Sequence, residues 1–352
     1  MIIVNSRFLT QPITGVQRFA IEISLQLKKL FGNDIRFISP HNILQKEIAE
    51  KLEVEIVGKR SGHLWEQLDL PRFLKSKDSP LLINLTNTAP LFYKNKLTTI
   101  HDVAFLVYPK AYSKIFYYSY KVFIPKIIAG SKKVVTVSEF SKSEIYKYYP
   151  KINKNIEVVY NAVSNIFERF DKNINDKENN FLAVSSINQR KNFSLILKSF
   201  SLIKNEYPNY KLFIIGDINN SNFGDTDLSL YLKDENIKFL GRVSDESLVD
   251  YYSKALAFIY PSFYEGFGIP PLEAQACGCP VILAKTSSLP EVFKDSGLYC
   301  DPHSEIELKN IMIELIKNQK LRIELSEKGY KNADRFSWKK SGVAFKNIID
   351  SL

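Results

Sequence analysis

Short apolar runs of strand length alternate with amphipathic helical patterns along nearly the whole chain, and this alternation limits its fold more than any other feature. Ile2–Val4, Ile35–Ile38, Leu81–Asn84, Leu97–Ile100 and Val134–Val137 read as strands, with Val16–Leu30 as a helix after a Thr14-Gly15 turn. A polar, charged stretch follows at Asp171–Asn180, and then the pattern restarts. Phe181–Ser185, Lys211–Gly216, Ile237–Leu240, Ala257–Tyr260 and Pro280–Ala284 read as strands. Ser194–Glu206, Asp245–Ala255, Glu305–Asn318, Gln319–Arg335 and Trp338–Leu352 read as helices. Strands separated by helices call for parallel sheets covered on both faces. At 352 residues the chain exceeds the size at which single cores stop growing, roughly 250–300 residues. The predicted architecture is therefore α/β with two Rossmann-like domains. Residues 1–166 form an N-terminal, acceptor-side domain, 167–180 a linker, and 181–335 a C-terminal domain. A last helix at 336–352 is expected to pack back on the first domain.

Composition narrows the function classes. A hydrophobic share of 45% with 24% charged residues is that of a water-soluble globular chain. The start of the chain lacks the pattern of a secretory signal, and no run approaches the ~18 apolar residues of a membrane span. Cys277, Cys279 and Cys300 are too few for a disulfide framework or a four-cysteine zinc site, so a reduced, cytoplasmic setting is expected. The net charge of +10 favours an anionic partner without choosing among nucleotides, acidic lipids and nucleic acid.

The most specific stretch is Tyr260–Ile282, which reads as strand, loop, helix and strand. Gly266 and Gly268 allow close backbone approach to a ligand. Pro270 and Pro271 suit the first positions of a helix, whose free amides attract phosphate. Glu265 precedes the loop and Glu273 lies in the helix, and the two carboxylates are expected to face one pocket. Upstream, Arg190 and Lys191 stand between a strand and a helix, where two cations can neutralise a leaving diphosphate. Taken alone, such a basic pair is more often a solvated surface.

Together these residues resemble the retaining glycosyltransferases of the GT-B fold known as family 4, whose signature is a Glu-x7-Glu pair. The resemblance implies a nucleotide-diphosphate sugar held in a cleft between two domains. Glu265 would then lie by the donor sugar and Glu273 on the ribose. Gly266, Phe267, Gly268, Ile269 and Leu272 would line the donor. Arg190 and Lys191 match the diphosphate-binding Arg-Lys-Asn motif, although Ser185 stands where that motif commonly has glycine. Arg242 and Val243 match the segment that neighbours the base, with Ser244 or Asp245 also readable as a helix N-cap. His101, just after a strand, matches the histidine that meets the donor sugar, and Asp102 is read as its orienting partner or an acceptor contact. Gly15 matches the loop that closes over the donor phosphate or the acceptor. Arg18 is assigned to an acceptor phosphate, with an exposed first-turn arginine as the alternative.

The expected activity is therefore hexosyl transfer with retention, from a nucleotide sugar read as GDP-mannose with UDP and dTDP donors as alternatives, onto a glycan or a polyprenyl-diphosphate-linked acceptor. No cofactor and no catalytic metal are expected. Asp225-Thr226-Asp227 has the form of a metal motif but lacks the strand that such a motif needs. A nucleotide-sugar epimerase or hydrolase is the alternative. An oxidoreductase is disfavoured because no Gly-x-Gly-x-x-Gly follows the first strand. Nucleic-acid binding would explain the charge but not the paired glutamates. Finally, Val103–Ser138 carries six lysines, many aromatics and no acid. It reads either as a helix with its lysines in water or as a peripheral contact with an anionic membrane on its inner face. Pro125 is expected to break or kink a helix there.

Overall fold

The structure, a computed structural model, describes residues 1–167, 177–185, 188–216 and 229–352. It divides into two compact units, Met1–Asn161 with Ser337–Leu352, and Ala162–Phe336. Most of the polar segment 167–180 lies outside the described residues.

In the first unit the strands are β1 (Ile2–Asn5), β2 (Ile35–Ser39), β3 (Glu55–Ile56), β4 (Leu81–Asn84), β5 (Lys96–Thr99), β6 (Lys133–Thr136) and β7 (Ile156–Val158). All pair in parallel, in the order β3-β2-β1-β4-β5-β6-β7. The helix Gly15–Phe31 buries Phe19, Ile23 and Leu27, one face of a 3.6-residue period, and ends at Gly32 with φ of 54°. The final helix, Trp338–Asp350, lies against it, capped by the Ser337 hydroxyl, which accepts from the Lys340 amide. Gly342 makes that approach possible, since a Cβ there would sit 2.5 Å from Gln26 Cβ.

In the second unit β8 (Asn180–Val184), β9 (Lys211–Ile215), β10 (Ile237–Gly241), β11 (Ala257–Tyr260), β12 (Val281–Ala284) and β13 (Leu298–Cys300) also pair in parallel. Their order is β10-β9-β8-β11-β12-β13. Phe181, Ile196, Leu212, Ile214, Ile259 and Met312 meet in its core.

Three strands went unread in the sequence: β3, β7 and β13. Each is a two- or three-residue strand at a sheet edge, too short to show a period. Lys96, outside the predicted strand, begins β5 and is fully buried. Its ammonium donates to the carbonyls of Pro90 and Tyr93, both at 2.7 Å. Pro125 does not end a helix: Lys114–Gly130 runs through it. The lost amide costs one helical hydrogen bond, and burial of Ile124, Ile127 and Ile128 on both sides of the proline holds the two halves together.

Candidate functional site

Each sheet has a point where strand order reverses, and ligands of doubly wound sheets bind beyond the strand ends there. In the second unit that point lies between β8 and β11. The loop after β8 carries Arg190 and Lys191, and the loop after β11 carries Glu265. Topology therefore brings together side chains that stand far apart in sequence. Lys191 Nζ donates to Glu265 Oε1 at 2.6 Å and to the Tyr260 hydroxyl at 2.6 Å, and lies 4.9 Å from the Tyr260 ring centroid. An Arg190 Nη1 atom stands 3.4 Å from Glu265 Oε2 and also donates to the Tyr264 carbonyl. All three charged groups are nearly enclosed. Burial pushes the Glu265 carboxyl up, but Lys191 and then Arg190 outweigh it and hold the group below its ordinary value. The result is a fixed charge cluster of two cations on one carboxylate, already desolvated.

The backbone of Glu265 is clamped as well. Its amide donates to the Ser287 hydroxyl at 3.0 Å, and the Ser288 hydroxyl donates to its carbonyl at 2.9 Å. Ser287 has φ of 53° and Asn192 has φ of 58°. Two non-glycine residues in left-handed backbone beside one carboxylate mark a place where local strain is tolerated for geometry. The Asn192 amide donates to the carbonyls of Pro261 and Pro302, tying the Arg190 loop to the Glu265 loop.

Gly268 has φ of 102° and precedes the helix Ile269–Ala276, which has proline in its first turn and contains Glu273. Glu273 is buried. A Cβ on Gly268 would fall 2.9 Å from Leu289 Cδ2 and 3.2 Å from Phe293 Cε2. Gly268→Ala is therefore expected to cost about 1–3 kcal/mol, from backbone strain plus overpacking. Urea unfolding followed by far-UV circular dichroism measures it, and an unchanged midpoint would contradict it.

Not every expected contact has surface to offer. Leu272 is 0% exposed and so has nothing for a donor to touch. Phe267 packs edge-on against Phe336, with centroids 5.4 Å apart. Arg242 is exposed after β10, Val243 is partly buried, and Ser244 is the N-cap of Asp245–Lys254, accepting from the Ser247 amide. Gly266 and Ile269 lie in the loop and first helical turn. Asp225-Thr226-Asp227 lies outside the described residues. Tyr260, Ser287 and Ser288 had no sequence-level role, and Asn192 entered only as the asparagine of the Arg-Lys-Asn motif. An asparagine directly after the basic pair was the one available sign, since asparagine tolerates left-handed backbone.

In the first unit the strand order reverses between β1 and β4, and a buried polar cluster sits at their ends. Asn5 Nδ2 donates to Glu66 Oε1 at 2.8 Å and to Asn84 Oδ1 at 3.0 Å. Arg7 Nε stands 3.3 Å from Glu66 Oε1, and Thr88 donates to the same oxygen at 3.0 Å. Glu66 lies in a π-helical turn, Trp65–Asp69. Such turns are rare and frequent at functional sites.

His101 follows β5 and is buried. Its Nε2 lies 2.9 Å from the Leu85 carbonyl, and its ring meets Phe19 edge-on at 4.9 Å. Burial pushes the imidazole below its ordinary value, with the Leu85 bond and Asp102 opposing. A carbonyl only accepts, so Nε2 carries the proton and Nδ1 of the neutral ring is an acceptor. The orienting partner is thus Leu85. Asp102 instead accepts from the Ala104 amide at 2.9 Å, as a local turn cap. Gly15 is exposed and Arg18 partly buried at the start of the first helix.

Comparison with known proteins bears on this geometry. The family described as Glycosyl transferases group 1 matches residues 164–332, which span the second unit's sheet and both charged loops. O-antigen chain mannosyltransferase B of Escherichia coli is 29% identical over 71% of this chain and 70% of its own length. O-antigen chain mannosyltransferase RfbU of Salmonella typhimurium is 33% identical over 68% of this chain and 65% of its own. The solved structure of Anabaena Alr3699/HepE in complex with UDP superposes with a TM-score of 0.75 at 16% identity, covering 100% of this chain and 99% of that one. That likeness is one of fold.

Proposed function

The chain is a group 1 glycosyltransferase of GT-B fold, and from that premise we propose that it transfers a hexose from a nucleotide-diphosphate sugar in surface-polysaccharide synthesis. The donor in this reading is GDP-mannose, the acceptor a glycan on polyprenyl diphosphate, and the anomeric configuration is kept. Two curated relatives named O-antigen mannosyltransferases support the sugar and the setting. The observation that carries the chemistry is the convergence of Arg190 and Lys191 on Glu265 at the strand-order reversal.

A diphosphate arriving there meets two cations whose desolvation and positioning are already settled, so little reorganisation opposes charge build-up on the leaving group. The bond from the sugar's anomeric carbon to the diphosphate oxygen breaks. The acceptor oxygen forms the new bond on the same face, and its proton passes to the departing phosphate. Glu265 stays ionised beside the developing positive charge of the sugar. Glu273 holds the ribose hydroxyls, and the neutral His101 offers Nδ1 to a sugar hydroxyl. Arg190 and Lys191 supply the charge neutralisation that a metal supplies elsewhere, so turnover is expected to persist in chelator.

The test is ligand-observed NMR with GDP-, UDP-, dTDP- and CDP-sugars, followed by product analysis. Selective GDP-mannose binding is expected, weakened about tenfold to a hundredfold by Glu273→Ala, with an α-linked product made in chelator. An inverted anomer would overturn the retaining course, and donor consumption without acceptor would point to a hydrolase. Binding of none of the four would sink the donor site.

A further inference from the structure

We propose that His63, set by the buried Glu66 carboxylate, binds a sugar hydroxyl in the uncharged part of the acceptor. The fold treats the two oxygens of Glu66 differently. Oε1 accepts from Asn5, Arg7 and Thr88 and is saturated. Oε2, in a side chain that is 0% exposed, accepts no hydrogen bond among the described residues. Native structures rarely leave a buried oxygen so, and each case asks for a reason. His63 Nδ1 stands 3.5 Å away, just longer than a hydrogen bond, and the His63 side chain is 65% exposed.

The platform beneath this pair is held from both sides. The Trp65 indole donates to the Val57 carbonyl at 2.6 Å, and Asp69 accepts from the amides of Lys59 and Arg60 at 3.0 and 2.9 Å. Gln67 donates to the Ala89 carbonyl at 3.0 Å and accepts from the Leu91 amide at 2.9 Å. The neighbours of Glu66 are thus tied to two separate stretches of chain, which fixes the turn that carries it. Asn5 and Asn84 place the same cluster at the ends of β1 and β4, where the strand order reverses. That is where ligands of such sheets bind.

Chemistry identifies the ligand. Burial raises the Glu66 carboxyl, but its neighbours, Arg7 foremost, outweigh it and keep the group ionised. An anion at Oε2 draws the ring proton of His63 to Nδ1, since only a protonated nitrogen can donate to it. Nε2, across the ring, then becomes an acceptor, and it makes no hydrogen bond among the described residues. An accepting nitrogen needs a ligand that donates. A sugar hydroxyl does so. An ionised diphosphate has no proton to give, and the negative charge of Glu66 behind the ring repels it. The pair therefore reads the sugar of the acceptor and not its diphosphate, with Glu66 as the positioning residue.

The proposal deepens the glycan-acceptor reading and rests on it for the identity of the ligand, but its test needs no turnover. Full-length protein carrying isotope-labelled histidine reports by NMR which ring nitrogen holds the proton. With the ring neutral, the His63 proton is expected on Nδ1, and Glu66→Gln should release that bias. Methyl α-mannoside, methyl β-galactoside and methyl N-acetylglucosaminide are then titrated at millimolar concentration, with inorganic pyrophosphate in a parallel series. At least one glycoside should shift the His63 signals, and pyrophosphate should not. His63→Ala should weaken that glycoside about tenfold, the contribution of one hydrogen bond. Glutamine at this position places an acceptor where Nε2 stood, and asparagine does not. His63→Gln should therefore recover most of the affinity and His63→Asn little of it, with the unfolding midpoint unchanged in all three variants. A parent proton on Nε2, no response to any glycoside, equal affinity of the Gln and Asn variants, or a response to pyrophosphate alone overturns the proposal. Nucleotide-sugar binding is measured on the same samples. Its loss with the His63 response intact counts against the donor site alone, and a silent His63 with donor binding intact counts against this inference alone.

Discussion

Lys191→Met is expected to lower turnover by about two to three orders of magnitude while leaving the protein folded. Methionine keeps the apolar stem in its buried slot but removes the ammonium that binds both Glu265 and the Tyr260 hydroxyl at 2.6 Å. Two losses then coincide. The leaving diphosphate loses one of its two cations, and Glu265 loses the stronger of the two charges that keep it ionised against burial. The pH dependence separates this from simple misfolding. In the parent protein Glu265 titrates below the ordinary carboxylate range, so the acid limb of kcat attributable to it lies low. In the variant that limb moves upward. Stability follows the same linkage. Because the folded-state value is depressed, the ion pair's contribution is present above the unfolded value of ~4.3 and is lost as pH falls through the folded one. Parent and variant should therefore differ most at neutral pH and converge in acid. Turnover within a few-fold of the parent, with an unmoved acid limb, would remove Lys191 from the site.

Arg7→Met should destabilise the first unit by about 3–5 kcal/mol, the usual cost of leaving one member of a buried ion pair without the other. Glu66 is 0% exposed, and its Oε1 accepts from Asn5, Arg7 and Thr88. Burial opposes its ionisation, and Arg7 is the foremost of the groups that nonetheless hold its carboxyl below the ordinary value. Both of the chain's tryptophans, Trp65 and Trp338, belong to this unit, so their fluorescence in urea reports on it. Adding Glu66→Gln to Arg7→Met removes the orphaned charge and should recover part of the loss, a coupling that a double-mutant cycle reads directly. A loss under about 1 kcal/mol in the single variant would mean that water or a rearranged neighbour reaches Glu66.

These two sites differ in how far the sequence revealed them. Glu265, Gly268 and Glu273 announce themselves because one strand, one tight loop and one helix carry them within a few residues of each other, and local backbone chemistry dictates those types. The Arg190-Lys191 pair was ambiguous, since a solvated loop has the same letters. Only the neighbouring ends of β8 and β11 convert it into a buried partner of Glu265. Arg7 and Glu66 were unreadable: neither belongs to a motif, and their pairing across 59 positions arises where the turn Trp65–Asp69 meets the end of β1. Asp102, adjacent to His101, looked like its partner, yet the ring turns to Leu85, on a different strand end.

By itself, then, the chain's order of apolar runs determined two parallel α/β units, because period and strand length are properties of consecutive residues. Motif spacing likewise determined the strand-loop-helix that presents Glu265 and Glu273. What only tertiary structure decided was which charges lose water and whom they meet. Desolvation and pairing depend on neighbours brought in by sheet order, which no local stretch of sequence encodes. The same reason explains the lysine-rich helix: its letters allowed either face to be buried, and packing of Ile124, Ile127 and Ile128 against the sheet core left Ile115 and Tyr118 on the outside.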